Sequence, residues 1–231
     1  MSMAISIPLE GGGVSGLLDM PAKLQACLVL AHGAGAGMDH GFMAAMASGL
    51  AERGVATLRF QFPFMERKSR RPDTPRVAQA AVRAAVQQAA IHLPGVPLFA
   101  GGKSFGGRMS SQAQAAEPLP GVRGLVFVGF PLHPAGKPST ARAEHLADVK
   151  LPMLFLQGTR DALAEVDLIR QVCGMLAGRA DLHIVDGADH AFRVLKRTGR
   201  RDDEVIVELL DTLAAWIKAR AGTSTPRQGT L

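Results

Sequence analysis

The chain has 231 residues, of which 47% are hydrophobic and 20% charged, which suits one large α/β domain and excludes intrinsic disorder. Its formal net charge is +6, but no aromatic residues interleave with the basic clusters to stack on bases, which argues against nucleic acid as a partner. No apolar stretch reaches the roughly 20 residues that span a bilayer. Because residues 1–13 also lack the features of a secretory signal, we expect a cytoplasmic protein with no membrane partner.

Apolar runs of strand length alternate with longer helical patterns along the chain. The first two predicted strands, residues 4–9 and 14–19, are separated by glycines and indicate an antiparallel hairpin at a sheet edge. The later strands are almost continuously apolar, which indicates burial on both faces in a parallel sheet covered by helices. These later strands are residues 26–31, 55–60, 97–100, 125–130, 153–157 and 182–185.

Helical periodicity predicts five helices between these strands. The second of them is marked by Thr74 at the N-cap and Pro75 at the first helical position. The pattern as a whole predicts one α/β domain over residues 1–221, with a mostly parallel central sheet, an N-terminal antiparallel hairpin and helices on both faces, followed by a flexible tail over residues 222–231. The predicted helices are residues 43–52, 77–92, 105–115, 163–176 and 205–220.

The segment from Gly102 to Gly106 reads GKSFG and lies between a predicted strand and a predicted helix. This is the G-x-S-x-G pattern in the strand–turn–helix context that it requires. The tight turn strains the serine backbone, and its neighbours two positions away must lack a Cβ to avoid the strand and helix. We therefore predict that Ser104 is a nucleophile exposed at a helix N-terminus.

Two other interpretations fit parts of this segment. A glycine-rich turn with a capping serine would carry no chemistry, but the position after a central strand favours the nucleophile. A phosphate-binding P-loop would need glycine at position 97, where Pro97 stands, and proline also lacks an N–H for phosphate. The P-loop interpretation is therefore excluded.

A serine nucleophile needs a base, and the hydrolase order is Ser, then acid, then His. Asp161 follows the predicted strand 153–157, and His190 follows the strand 182–185. Carboxyl ends of parallel strands meet at one edge of the sheet, so both side chains are predicted to lie near Ser104. Asp161 could also cap the next helix, a role that does not exclude catalysis.

Other acids and histidines fit these roles less well. Asp186 and Asp189 are alternative acids, although Asp189 is too close in sequence to reach around its neighbour. His92 falls on a helix, His145 in an irregular segment, and His183 inside a strand. A purely structural role for His190 is the remaining alternative.

A glycine-rich loop, HGAGAG, follows the strand 26–31 and begins at His32. Its small residues, Gly33 and Gly35 among them, let the backbone approach a reacting carbonyl. The N–H groups of Ala34 and Phe105 are the predicted oxyanion hole, and His32 is predicted to brace the loop rather than to act as a base.

A dinucleotide-binding loop is the alternative for HGAGAG. It would need a third glycine where Met38 stands, and an acid rather than Arg59 at the end of the next strand. We therefore discount it. No His/Cys spacing predicts a metal site, and Cys27 and Cys173 lie in apolar patterns typical of buried thiols.

The sequence gives weaker signals for the substrate pocket than for the nucleophile, acid and base. The connection 131–151 is too short for a cap domain, which predicts an open pocket. Basic residues cluster at Arg67–Arg76 and at 193–201; they are typical of solvated surface, with an anionic ligand as the alternative. Candidate wall residues, for which ordinary core is the alternative, are Phe64, Met65, Phe130, Leu132 and Phe192.

The motifs HGAGAG, GGKSFGGRM, GFPLHPAGKP, PMLFLQGTRD and GADHAF, in this order, resemble those of small α/β-hydrolases of the KANL3/Tex30 type, which are distantly similar to dienelactone hydrolases. The resemblance extends from about Ala26 to Trp216. It implies the eight-stranded α/β-hydrolase fold and carries nucleophile, acid and base onto Ser104, Asp161 and His190. Dienelactone hydrolases have cysteine as the nucleophile, so the serine here argues against dienelactone itself as substrate.

The expected function is hydrolysis of a carboxylic ester or similar small acyl substrate, through an acyl-enzyme and without metal or cofactor. The expected partner is this small-molecule substrate, and the expected state is a monomer or homodimer. The alternative is a non-catalytic binding or scaffold protein on a hydrolase fold, because animal members of the KANL3/Tex30 group are similar to scaffold subunits and fold alone does not imply activity.

Overall fold

The computed structural model describes residues 2–222, and an eight-stranded sheet forms its centre. The strand order is β1-β2-β4-β3-β5-β6-β7-β8, with β1 and β2 paired as an antiparallel hairpin and β3 to β8 parallel to one another. The strands are β1 Ser2–Leu9, β2 Gly12–Asp19, β3 Ala26–Ala31, β4 Val55–Phe60, β5 Leu98–Lys103, β6 Val122–Val128, β7 Met153–Gly158 and β8 Ala180–Val185.

Helices cover both faces of the sheet, as the apolar strands require. The helices are α1 Gly41–Glu52, α2 Pro63–Glu66, α3 Pro75–His92, α4 Phe105–Ala116, α5 Val166–Met175 and α6 Asp202–Ala221, with short 3-10 helices at Ala141–Ala147 and Lys196–Thr198. Alternate residues of each parallel strand enter separate cores. On β3, for example, Val29 belongs to the core under α3, α4 and α5, and Leu28 to the core under α1 and α6.

The predicted fold class is confirmed, with local differences in element bounds. The fifth strand continues to Lys103, and the helix expected to begin at residue 163 begins at Val166, with Glu165 at its N-cap. The segment between Asp161 and Glu165 instead forms turns. The short helix α2 and the two 3-10 helices were not predicted, because segments of this length carry too few apolar repeats to show a period.

No helix within residues 2–222 is both long and apolar enough to cross a membrane. The tail predicted for residues 222–231 lies, from residue 223 onward, outside the described residues.

Candidate active site

Ser104 occupies a strained turn between β5 and α4. Its φ of 50° and ψ of −113° lie outside the regions that non-glycine residues favour. The turn packs against the end of β3, where a Cβ at position 102 would lie 2.1 Å from the Ala31 carbonyl oxygen and one at position 106 would lie 2.5 Å from it. Gly102 and Gly106 are therefore required by close backbone approach, and together they hold the Ser104 hydroxyl at the start of α4.

His190 lies in the loop after β8, and its imidazole reaches the serine. Nε2 is 2.9 Å from Oγ of Ser104, and Nδ1 is 2.7 Å from Oδ2 of Asp161. The imidazole is 27% exposed, whereas the Asp161 side chain is 1% exposed. The three predicted side chains thus form one hydrogen-bonded series that opens towards solvent at the serine and is closed at the carboxylate.

Asp161 is fixed by hydrogen bonds from three directions. Oδ1 accepts the Leu163 N–H at 2.8 Å, and Oδ2 accepts the Gln157 side-chain amide at 2.5 Å as well as the His190 ring N–H. Because Gln157 in turn accepts the Phe130 N–H at 3.0 Å, the carboxylate is held from the end of β7 and from the segment after β6. Asp161 does not cap α5, which starts five residues later.

The two alternative acids are engaged elsewhere. Oδ1 of Asp189 accepts the N–H groups of Ala191 and Arg193, at 2.8 and 2.9 Å, and so shapes the His190 loop. Asp186 accepts the hydroxyl of Thr159 at 3.2 Å. Neither carboxylate has a hydrogen bond to the imidazole within residues 2–222, which leaves Asp161 as its partner.

The loop after β3 forms one side of the site, and His32 braces it. The His32 ring lies buried between two backbone groups: Nδ1 donates to the Gly33 carbonyl at 2.7 Å, and Nε2 accepts the Phe62 N–H at 3.0 Å. Burial lowers the pKa of His32, while its backbone hydrogen bonds act in the opposite direction. The neutral ring thus fixes the loop.

The two amides expected to bind an oxyanion both border the serine. Ala34 and Ser104 share the linings of two cavities, and Phe105 is the first residue of α4, where an N–H has no partner inside the helix. No hydrogen bond from the Ala34 or Phe105 N–H to another group is present within residues 2–222. Both donors are therefore available to a ligand.

A cavity of about 620 Å³ opens beside Ser104 and His190. Of the five expected wall residues, only Phe192 lines it. Phe64, Phe130 and Leu132 are fully buried in the core under α3 to α5, and Met65 packs against that core. The actual walls come mainly from the loop after β3, the start of α1, the His190 loop and α6. They include Gly33, Gly35, His40, Phe42, Met43, Phe192, Arg193 and Ile206.

Lys103 was not predicted as a site residue, although it lies beside the serine in the motif. Its ammonium donates to the His190 carbonyl at 2.6 Å and lies 5.3 Å from the centre of the Phe192 ring. Burial lowers the pKa of Lys103 to about 8, although the negative charges of Asp161 and Asp189 act to raise it. The sequence signal that could have identified Lys103 as a site residue is its position as a polar residue at the end of an apolar strand. Gln157 carries the same signal.

A second serine–histidine pair lies behind the site, and its environment differs. Ser111 Oγ is 2.7 Å from Nε2 of His145, but the serine is fully buried on the inner face of α4 and also donates to the Arg108 carbonyl at 3.0 Å. Burial and the nearby Arg108 charge lower the pKa of His145 to about 4. The Ser111 hydroxyl has no access to a substrate, so this pair is part of the packing.

The other titratable candidates lie away from the serine. His183 pairs with Glu208 at 2.7 Å on β8 and α6, and Cys27 and Cys173 are free thiols whose pKa burial raises to about 12. Within residues 2–222 no group of three or more histidine, cysteine or acidic side chains is arranged to hold a metal ion.

Solved structures of several hydrolases are similar to the chain over nearly its whole length. A dienelactone hydrolase from Anabaena variabilis superposes with a TM-score of 0.78 at 19% identity, covering 95% of this chain and 98% of that one. A serine hydrolase without a lid from Xanthomonas campestris gives 0.75 at 20% identity, covering 97% of each chain. The esterase domain of a Rhodothermus marinus protein gives 0.74 at 15% identity, covering 96% of this chain and all of that one.

At these identities the superpositions show a shared fold. Family membership comes from the sequence itself, because the profile of a family described as an alpha/beta hydrolase domain matches residues 24–218. That range contains the strained serine, the histidine and the aspartate together with all six parallel strands. The chain belongs to the α/β-hydrolase family.

Proposed function

We propose that the chain is a serine hydrolase that cleaves a carboxylic ester or a similar small acyl substrate, with Ser104, His190 and Asp161 as its catalytic triad. The observation that carries the proposal is the unbroken series of hydrogen bonds from the Ser104 hydroxyl through His190 to Asp161, opening into a cavity. Structural neighbours described as esterases and as a serine hydrolase support the same reaction class.

The proposed reaction proceeds in two halves. Oγ of Ser104 attacks the acyl carbon while Nε2 of His190 takes its proton, and the same proton then passes to the leaving alcohol as the ester bond breaks. Water attacks the resulting acyl-serine with the imidazole again as base, which releases the acid and restores the hydroxyl. Asp161 holds the Nδ1–H tautomer throughout and stabilises the imidazolium.

Charge on the substrate oxygen develops beside Ala34 and Phe105. Their N–H groups are held by rigid backbone, one in the loop braced by His32 and the other in the first turn of α4. Donors fixed in advance need no reorganisation at the moment of reaction, and removal of one typically costs about 2.7–4 kcal/mol of transition-state stabilisation. The reaction requires no metal or cofactor.

The finer assignment to the KANL3/Tex30-like hydrolases is also a proposal. Its support is the set of motifs from HGAGAG to GADHAF, of which HGAGAG, GGKSFGGRM and GADHAF contribute lining residues to the cavity beside Ser104. The scaffold alternative differs from the enzyme in one measurable property, which is whether the serine reacts.

A fluorophosphonate probe tests the proposal directly. We expect the wild-type chain to be labelled on the peptide that contains Ser104, in a ratio of one probe to one chain by intact mass spectrometry. It should also hydrolyse short-chain 4-nitrophenyl esters. Absence of labelling in a folded wild-type chain, together with absence of turnover on esters, thioesters and lactones, would favour the scaffold function instead.

The rate of the wild-type enzyme should fall as pH rises through about 8. Below this pH Lys103 is an ammonium that donates to the His190 carbonyl and so holds the histidine loop; above it the amine is neutral, since burial has lowered its pKa. Lys103→Met should therefore lower kcat/KM at pH 7 by about tenfold, as expected for loss of a charged donor, and should lack the fall near pH 8.

The measurement is kcat/KM for a 4-nitrophenyl ester between pH 6 and 10. Lys137→Met removes a lysine from an exposed position and should keep the wild-type profile. If Lys103→Met kept the alkaline fall unchanged, another group would be responsible for it.

A further inference from the structure

A second cavity, of about 380 Å³, also borders the nucleophile. It shares Ser104 and Ala34 with the larger cavity, but its remaining walls come from different segments: the basic stretch before α3, the first turn of α4, and the chain between β6 and β7. An acyl or alcohol arm of a substrate attached at Ser104 can therefore enter it directly.

Two guanidinium groups line this second cavity. Arg108 lies one helical turn after Ser104 on α4, and Arg142 lies in the 3-10 helix Ala141–Ala147. Within residues 2–222 neither side chain forms an ion pair or a hydrogen bond, and Nε of Arg108 is buried without a partner. Burial and the charge of Arg142 both lower the pKa of Arg108, so the two cations repel each other in a partly dry environment.

No acid in the cavity compensates these charges. Asp73 is the one acidic lining residue, and both of its oxygens are engaged: Oδ1 with Arg67 at 2.7 Å and Oδ2 with the Phe64 N–H at 2.7 Å. Like charges held together without a partner cost stability, which points to a use in binding rather than in folding. The missing partner is an anion.

We propose that Arg108 and Arg142 bind an oxyanion group of the substrate, a carboxylate or phosphate, while the ester carbonyl lies at Ser104. Guanidinium forks match such planar or tetrahedral oxygen groups with paired, charge-assisted hydrogen bonds. The substrate class is then an ester that carries a second, ionised group on one arm, such as the half-ester of a dicarboxylic acid. This inference rests on the proposed hydrolase function and specifies which class of ester the enzyme would prefer.

The location differs from the basic cluster expected from the sequence. Arg67 of that cluster forms an ion pair with Asp73. Arg70 is exposed and lines neither of the two cavities beside Ser104. What the segment contributes to the cavity is Pro72, Asp73 and Pro75, which form part of its wall.

Two matched substrates test the proposal by kinetics. The mono-4-nitrophenyl ester of adipic acid and 4-nitrophenyl hexanoate have acyl chains of equal length, and only the first ends in a carboxylate. We expect wild type to favour the adipate ester in kcat/KM by about 10- to 100-fold, as hydrogen bonds to charged groups imply. Arg108→Gln and Arg142→Gln should remove this preference mainly through KM, with the hexanoate ester little affected.

Further variants separate specific recognition from general charge. Arg108→Lys keeps the charge but loses the fork, and should recover only part of the preference. Arg70→Gln removes the same charge from an exposed position and should leave the preference intact. Equal rates for the two esters in wild type, or equal losses on both esters in Arg142→Gln, would overturn the proposal.

Binding without turnover keeps this inference separate from the proposed function. Calorimetric titration of the Ser104→Ala chain with monomethyl adipate, and separately with inorganic phosphate, should show binding that Arg108→Gln and Arg142→Gln abolish. The tighter of the two ligands identifies the anion. Anion binding to Ser104→Ala together with no ester cleavage by wild type would keep the anion site and reject the hydrolase. Ester cleavage by wild type together with no binding of either anion to Ser104→Ala would reject the anion site alone.

Discussion

Ser104→Ala is expected to lower kcat for ester hydrolysis by about 10⁶-fold, the size of loss seen when the nucleophile of a serine triad is removed. The alanine leaves His190 and Asp161 paired but offers no oxygen to attack the acyl carbon. Because the hydroxyl makes one hydrogen bond within residues 2–222, to the imidazole, the fold should be unaffected. The measurement is single-turnover and steady-state kinetics on a 4-nitrophenyl ester, with the circular dichroism spectrum as a check of folding.

Ser111→Ala is the matched control, since it removes a second serine hydroxyl that contacts a histidine within residues 2–222. Ser111 is buried in the packing of α4, so its loss should cost about 1 kcal/mol of unfolding free energy through its hydrogen bonds while kcat stays within about twofold. If Ser111→Ala were inactive and Ser104→Ala active, the pair with His145 would be the catalytic one.

Asp161→Asn is expected to lower kcat by about 10⁴-fold, the effect of the same change in other serine triads. The carboxylate accepts the Nδ1–H of His190, which leaves Nε2 free to take the serine proton. An amide can donate its own N–H to Nδ1 instead, and the proton then resides on Nε2, where it blocks the base. The side chain is almost fully buried, so water has no access to replace the carboxylate as acceptor of the Nδ1–H.

Asp186→Asn provides the comparison for the acid. Asp186 follows β8 as Asp161 follows β7, but its carboxylate accepts a hydrogen bond from the Thr159 hydroxyl and none from the imidazole within residues 2–222. We expect kcat for this variant within about threefold of wild type in the same assay. If Asp161→Asn had a small effect and Asp186→Asn a large one, the acid would be Asp186 after β8 and the assignment to Asp161 would be wrong.

The fold could be predicted from sequence because the decisive signals are local. Runs such as the one at β3 are apolar at every position, which indicates burial on both faces, and three glycines mark the hairpin turn between β1 and β2. The errors fall where local signals compete. The helix expected from residue 163 starts at Val166 because Asp161 bonds the Leu163 N–H and holds the preceding residues in turns.

For the candidate site, the placement of Ser104, Asp161 and His190 at one sheet edge followed from their positions at strand ends. The walls of the cavity did not, because Phe64, Phe130 and Leu132 are apolar residues near the site whose orientation depends on packing between distant segments. The contacts of Lys103 with the His190 loop also depend on tertiary structure, since 87 positions separate the two residues.

The residues of the proposed triad follow strands that are buried to different degrees. Ser104 follows β5, a central strand, whereas His190 follows β8, which has a single neighbour in the sheet and only one fully buried residue. Edge elements with few buried contacts open locally at a lower free energy than the centre of a domain. Hydrogen exchange should therefore be fastest at β8 among the parallel strands, and gentle denaturants should abolish turnover while most of the sheet is still intact.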